Sequence, residues 1–236
     1  LLITIAAGTA GLCFAAPLAA ADSGVTKQLT DNIRKQARAE STAWQGLFDA
    51  YLDMTDPPMA INAGFNQTTI HPGMDDWAAV SDWAITNKEV AAALATAADK
   101  VIIGLPYGSD AVDARYRDAG LAAVVRLEPD GEVEVDFPYM QAFDAFATWT
   151  AANLYTQIEA GEYDAAFDAA VSNARVLRHL CDRQMLAEKS TAMRLLAESL
   201  SVMCDAMYTS VDRIPADVYA RIATKELPFL KVSDTE

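Results

Sequence analysis

The residues of this sequence best suited to acid–base chemistry lie in the stretch HPGMDDW. His71 is followed by Asp75 and Asp76, and Trp77 comes next. A histidine oriented by a carboxylate is the smallest acid–base pair that enzymes use, and an aromatic ring can form one wall of a sugar or peptide site. The same residues also suit a loop that ends where a helix begins, because carboxylates are favourable near a helix N-terminus. We predict no catalytic residue. The candidates for contact with a partner or ligand are His71, Asp75, Asp76 and Trp77.

Other patterns that signal chemistry are absent from the sequence. It contains two histidines, His71 and His179, and no H-x-x-x-H, C-x-x-C or H-E-x-x-H motif, so a zinc site would have to be built mainly from carboxylates. It also lacks G-x-S-x-G, the Walker motif and G-x-G-x-x-G, which mark common hydrolases, nucleotide-binding proteins and dinucleotide-binding proteins. We therefore predict no metal and no cofactor, and we favour a binding function over an enzymatic one.

The charge balance limits the kinds of partner. The 236 residues include 18 basic and 33 acidic side chains, which gives a net charge of -15. Proteins that bind nucleic acids or anionic bilayers need lysines and arginines to neutralise phosphates. We therefore expect a protein partner and no nucleic acid. We expect contact with a membrane only through residues 1–21, if the mature chain keeps them.

Residues 1–21 carry no charge and become less apolar toward the sequence APLAAADS. This gradient, with Pro17 and the small residues Ala19 and Ala21, is typical of an export signal with an A-x-A cleavage site. The alternative is a retained membrane anchor, because about 20 uncharged residues can cross the hydrocarbon core of a bilayer. An export signal normally begins with Met and a basic segment, so we expect residues upstream of Leu1. Both interpretations place the body of the protein outside the cytoplasm, either in the periplasm or secreted.

The rest of the chain, residues 22–236, is predicted to be a single, mainly α domain. A hydrophobic content of 52% with 22% charged residues is typical of a globular fold. Apolar side chains recur with a helical period over residues 26–54, which predicts one helix there. Residues 55–76 lack any period and are expected to form an irregular loop. Around the sequence EPDG, two β-prone runs predict a small β-hairpin over residues 121–137.

Helices dominate residues 138–226 and complete an irregular bundle of about six to seven helices. The last long helix carries apolar side chains every three or four residues, so we expect it at the centre of the bundle. The sequence between Cys181 and Cys204 contains no Gly or Pro and is typical of unbroken helix, which would separate the two cysteines by roughly 34 Å. A disulfide needs Cα atoms within about 7 Å, so both cysteines are expected to be reduced and buried.

One stretch of the chain resembles a known helical repeat. In the sequence LYTQIEAGEYDAAFDAA, four residues lie where the centre of a tetratricopeptide repeat has a large residue, a glycine, an aromatic residue and an alanine. They are Leu154, Gly161, Tyr163 and Ala166. The resemblance covers residues 151–176 and implies two antiparallel helices joined by a short turn. It occurs once, whereas arrays of such repeats need about three or more units to bury their faces. More broadly, the chain is similar to exported, mostly helical bacterial proteins of unassigned function.

These observations favour a non-enzymatic, extracytoplasmic helical protein that binds another protein or serves as an accessory subunit. It would be tethered to the membrane if residues 1–21 are retained. The alternative is an exported hydrolase, or a protein that binds carbohydrate or another small ligand, with its site in the loop over residues 55–77. Long irregular loops inside compact domains often carry such sites. A sensor with a small-ligand pocket between its helices is a third hypothesis.

Overall fold

The computed structural model describes residues 24–36, 38–61, 67–127 and 133–226. Within these ranges the chain is mostly helical, which confirms the mainly α prediction. The helices described are α1 (Gly24–Gln36), α2 (Trp44–Asp53), α3 (Trp77–Thr86), α4 (Val90–Ala98), α5 (Ala114–Asp118), α6 (Met140–Ala160), α7 (Tyr163–Leu180), α8 (Leu186–Thr209) and α9 (Ala216–Arg221). Apart from α5 and α9, each has 9 or more residues. These longer helices agree with the predicted bundle of about six to seven.

Two short strands, β1 (Val124–Leu127) and β2 (Val133–Asp136), pair antiparallel. Val124 lies opposite Asp136, and Leu127 lies opposite Val133. The pair lies within the range predicted for the β-hairpin, and its EPDG sequence falls outside the described residues.

The centre of the fold is α6, and the prediction that the last long helix is central is wrong. Of the 21 residues of α6, 14 are buried, and the helix packs against α2, α3, α7 and α8. One side of α8 is buried, through residues such as Leu195, Val202 and Ala206. In contrast, Leu186 and Met193 of α8 are 82% and 60% exposed. α8 has apolar side chains on two faces, and periodicity alone does not reveal which face meets the core.

The single helix predicted over residues 26–54 is wrong, because the chain forms α1 and α2, and a 3-10 turn (Ala39–Ser41) and the extended residue Thr42 lie between them. Thr42 has extended backbone angles (φ -100°, ψ 149°) and forms a parallel bridge with Ile102. The Ala43 N–H donates to the Ile102 carbonyl at 3.1 Å. Gly104 permits this approach, since a Cβ atom there would lie 2.3 Å from Thr42 Cγ2. Pairing with a distant segment thus overrides a helical pattern in the sequence.

The irregular loop predicted over residues 55–76 is attached to α8 in its described part. A 3-10 turn begins at Gln67, whose side chain is buried. The Gln67 amide nitrogen donates to the Leu195 carbonyl at 3.2 Å, and its amide oxygen accepts from the Ser199 hydroxyl at 3.0 Å. Both ends of the amide are therefore used, and the part of the loop that leads into α3 is held in place.

The unbroken helix predicted between Cys181 and Cys204 is also wrong. α7 ends at Leu180, and a turn over residues 181–185 precedes α8. The two cysteines are free, and Cys181 is half-buried. Cys204 is exposed rather than buried as predicted. The turn places Arg183 in the core, where it forms the ion pair described below.

α6 and α7 form the helical hairpin that the resemblance to a tetratricopeptide repeat implied. Gly161 ends α6 with φ +83°, a left-handed conformation that favours glycine. Its N–H donates to the Ile158 carbonyl at 3.2 Å. The two helices then pack along each other. Such a hairpin forms wherever two packed helices share a short turn, so a single hairpin does not identify a repeat array.

Candidate functional site

The predicted contact residues lie on the surface where the loop meets α3. His71, Asp75 and Asp76 are exposed. Nδ1 of His71 accepts a hydrogen bond from the Gly73 backbone N–H at 3.0 Å, so one ring nitrogen is occupied within the loop itself. Asp76 precedes α3 with φ 58°, and its side chain makes no capping hydrogen bond. Among the described residues, no hydrogen bond or ion pair joins His71 to either carboxylate.

Trp77 is half-buried and belongs to the packing of this junction. Its indole N–H donates to Glu159 Oε2 at 2.8 Å, which ties the start of α3 to the end of α6. The ring also packs against the hydrophobic core. The four predicted residues therefore share one surface turn, in which the described contacts form no acid–base pair.

A buried cluster of charged and phenolic side chains joins three parts of the chain. Arg183 and Glu188 have side-chain exposures of 4% and 0%, and the Arg183 Nε donates to Glu188 Oε1 at 2.9 Å. The hydroxyls of Tyr107 and Tyr139 each donate to one oxygen of the Glu188 carboxylate. The Arg183 guanidinium also donates to the Leu105 carbonyl and lies 4.2 Å from the centroid of the Tyr107 ring. The segment after α4, the start of α6 and the turn between α7 and α8 thus meet at one carboxylate.

The two tyrosines and the arginine of this cluster keep their protons at neutral pH. Burial raises the pKa of Tyr139 well above its usual range, and burial shifts the pKa of Tyr107 in the same direction. Burial lowers the pKa of Arg183, but the effects of Tyr139, Glu188 and Tyr107 together outweigh it, so the pKa rises. The tyrosines therefore stay protonated donors and the arginine stays charged. A buried set of donors and acceptors that are nearly all paired stabilises one arrangement of the chain and is poorly suited to exchange protons with a substrate.

The space beside Arg183 is too small for a substrate. Its Nη2 atom is buried and makes no hydrogen bond to the described part of the chain. The adjoining cavity, which Gly104, His179 and Gln184 help to line, has a volume of about 10 Å³. A cavity of that size holds about one water molecule. The Arg183 cluster therefore supports the fold and offers no room for chemistry.

A groove between α2 and α4 has the size of a binding site. Its volume is about 490 Å³, and ligand sites typically measure about 300 to 1,000 Å³. Most of its lining is small or apolar, and the main lining residues are Ala43, Gly46, Leu47, Ala92, Ala93 and Thr96.

Small side chains on both helices create this groove. Gly46 on α2 is exposed, and a Cβ atom there would meet no atom within 4 Å. Ala93 and Thr96 line the groove from α4. Its ionisable lining residues are Glu40 and Lys100, and the Lys100 ammonium donates to the Glu40 carbonyl at 2.9 Å. An apolar groove of this kind suits an apolar side chain or the face of a helix.

Comparisons with known proteins leave the site to be interpreted from its own geometry. No protein-family model matches the sequence, and searches of curated proteins and of solved structures find no match. In the part of the chain that the structure describes, no helix is both long enough and apolar enough to span a membrane. Over the same residues, no group of three or more histidine, cysteine, aspartate or glutamate side chains is placed to hold a metal ion.

Sequence reasoning pointed to the loop over residues 55–77 and missed both the groove and the Arg183 cluster. A signal for the groove was present, because Ala92 and Thr96 are exposed positions of α4 where a solvated helix usually carries charge. The cluster left no local signal, since Tyr107 and Glu188 are far apart in the sequence and only the fold brings them together.

Proposed function

We propose that this protein is a non-enzymatic, extracytoplasmic protein-binding or accessory subunit that holds an apolar segment of its partner in the groove between α2 and α4. The observation that carries the proposal is the groove itself, about 490 Å³ in volume and lined mainly by small side chains. Small residues on two neighbouring helices let a large apolar side chain or a third helix approach closely. Large side chains seated in such pockets supply most of the binding energy at protein interfaces.

The partner's segment is expected to be apolar and flanked by basic residues. Since most of the groove lining is small or apolar, binding would be driven by the burial of apolar surface, at about 25 cal/mol per Å². The net charge of -15 attracts basic residues around that segment and increases the association rate. The same charge disfavours nucleic acid as the partner.

The extracytoplasmic location rests on residues 1–21, which lie outside the described residues. Their uncharged and graded sequence supports export, and their retention would make the protein a tethered accessory subunit. The mass of the native protein from membrane and soluble fractions distinguishes cleavage from retention. Recovery of the native protein from the cytoplasm alone would contradict the proposed location.

Photocrosslinking at the groove identifies the partner. A photoreactive amino acid in place of Thr96, on the groove wall, is expected to form an adduct with the partner in cells. The same replacement at Thr86, an exposed threonine at the end of α3, is the matched control. An adduct that forms at Thr96 and not at Thr86 is identified by mass spectrometry and then purified for the binding measurement.

The variant Gly46→Leu tests whether the groove holds that purified partner. Leucine at this position fills the groove, and it also raises helix propensity by up to about 1 kcal/mol, so a loss of binding cannot be assigned to unfolding. We expect at least about ten-fold weaker binding, equivalent to about 1.4 kcal/mol. Gly24→Leu is the control, because a Cβ atom at Gly24 also meets no atom within 4 Å. Equal affinities of the two variants would rule out the groove as the binding site.

A further inference from the structure

The outer face of α8 is apolar although it faces solvent. Leu186 and Tyr208 are 82% and 83% exposed, and Met193 is 60% exposed. Ala197 and Cys204 are also exposed, and the opposite side of the helix packs against α6 and α7. The outer stripe of α8 is defined by Leu186, Met193, Ala197, Leu200, Cys204 and Tyr208, of which Leu200 is half-buried and also contacts the core.

The spacing of the outer stripe suits a second helix. Its residues follow one another in steps of seven, four, three, four and four, which is close to the heptad pattern of paired helices. A helix of 24 residues is about 36 Å long, so the stripe can contact a partner helix over several turns. The small residues Ala197 and Ser201 lie on either side of Leu200 near its middle and permit close approach, and Leu186, Met193 and Tyr208 lie toward the two ends.

Two charged side chains beside the stripe complement each other in an antiparallel pair of α8 helices. Arg194 and Asp205 are eleven positions apart, about three turns, so they lie on the same flank of the helix. In an antiparallel pair this flank meets the same flank of the other copy. Arg194 is 54% exposed and pairs with Glu198 of its own helix and, at 3.9 Å, with Asp144 of α6. Asp205 makes no ion pair with any described residue.

We infer that two copies of this chain associate through the outer stripes of their α8 helices, antiparallel about a two-fold axis near residues 199–200. Each Arg194 then faces the partner's Asp205, and the contact occurs twice because the interface is self-complementary. A parallel pair would place Arg194 opposite the other flank, which carries Lys189. The inference does not depend on the groove between α2 and α4, which lies on other helices.

Self-association of the full chain, and its dependence on charge, tests this inference. Sedimentation velocity at about 100 µM is expected to show a dimer. Arg194→Asp or Asp205→Arg alone places like charges opposite each other twice and is expected to weaken dimerisation about ten-fold. The double variant, Arg194→Asp with Asp205→Arg, again places opposite charges across the interface and is expected to restore dimerisation. Circular dichroism checks that each variant is folded. A monomeric wild type, or a double variant as weak as the single ones, overturns the inference.

Crosslinking tests the antiparallel orientation. In a Cys204→Ser background, Ser201→Cys places the two thiols about 5 Å apart along the helix axis, whereas Ser190→Cys places them about 29 Å apart. Both serines are exposed on α8, so they form a matched pair. A short bismaleimide is expected to crosslink Ser201→Cys and not Ser190→Cys. Crosslinking at Ser190→Cys, or at neither position, overturns the inference.

Discussion

Replacing Glu188 with glutamine is expected to destabilise the fold strongly, although the two side chains have nearly the same size. Glu188 is fully buried and accepts hydrogen bonds from Arg183, Tyr107, Tyr139 and the Met185 backbone N–H. An amide has one acceptor oxygen and an NH₂ group, so it cannot accept all four donors. It also leaves the Arg183 guanidinium buried without its counter-charge. Breaking a buried ion pair in this way typically costs about 3 to 5 kcal/mol.

Urea denaturation of the full chain, followed by circular dichroism, measures this loss as a shift in the transition midpoint. A cost of about 3 to 5 kcal/mol is a large part of a domain stability of about 5 to 15 kcal/mol. The matched control is Asp182→Asn, which removes the same charge from an exposed carboxylate that pairs with Arg178. We expect that control to cost less than about 1 kcal/mol.

A third variant distinguishes the cost of an unpaired buried charge from the cost of changing the side chains that fill the site. Arg183→Met combined with Glu188→Leu removes both charges and keeps apolar volume, so it is expected to cost less than Glu188→Gln alone. A Glu188→Gln variant within about 1 kcal/mol of the wild type would refute the reasoning, because Arg183 would then not need its buried counter-charge.

Two further substitutions test other features of the fold. Gly104→Ala is expected to cost at least about 2 kcal/mol in urea denaturation, because the new Cβ meets Thr42 and the residue has φ +73°, whereas Gly24→Ala should leave the midpoint nearly unchanged. Burial and the Asp49 carboxylate raise the pKa of Tyr116 to about 12, from an ordinary value of 10.0. Its contribution to stability is therefore complete below pH 10.0 and is lost as the pH rises through about 12. Tyr116→Phe should show a shallower loss of stability over that range, measured by denaturation at each pH.

The spacing of apolar residues predicted helices correctly where neighbouring residues in the sequence decide the structure. The period of apolar residues and the Gly161 turn predicted α6 and α7, since both helices bury a face against neighbours in the same bundle. The same kind of pattern failed around Thr42, where hydrogen bonds to a segment about 60 residues away replace helical ones. It also misjudged α8, because Leu195 faces the core and Met193 faces solvent although both are apolar.

The candidate site was less accessible to sequence reasoning than the fold. His71 and its neighbouring carboxylates drew attention because they are chemically capable residues in an irregular loop. A groove, in contrast, is a property of two helices and depends on the side chains that are small. Gly46 and Ala93 line one groove only because α2 and α4 lie side by side. No motif describes that juxtaposition, which is why the pattern of small exposed residues on α4 was the one available signal.

The two proposed surfaces can act together, because they lie on different helices. The groove belongs to α2 and α4, whereas the outer stripe belongs to α8, and α7 packs between α4 and α8. A dimer would therefore present two grooves. On a surface that carries the partner at high density, both grooves can bind at once, and the apparent affinity is higher because the second binding event is intramolecular. Met193→Glu, which disrupts the stripe, would lower that apparent affinity and leave the affinity for the free partner unchanged. Gly46→Leu would lower both the apparent affinity for the immobilised partner and the affinity for the free partner, so the two measurements distinguish dimerisation from binding in the groove.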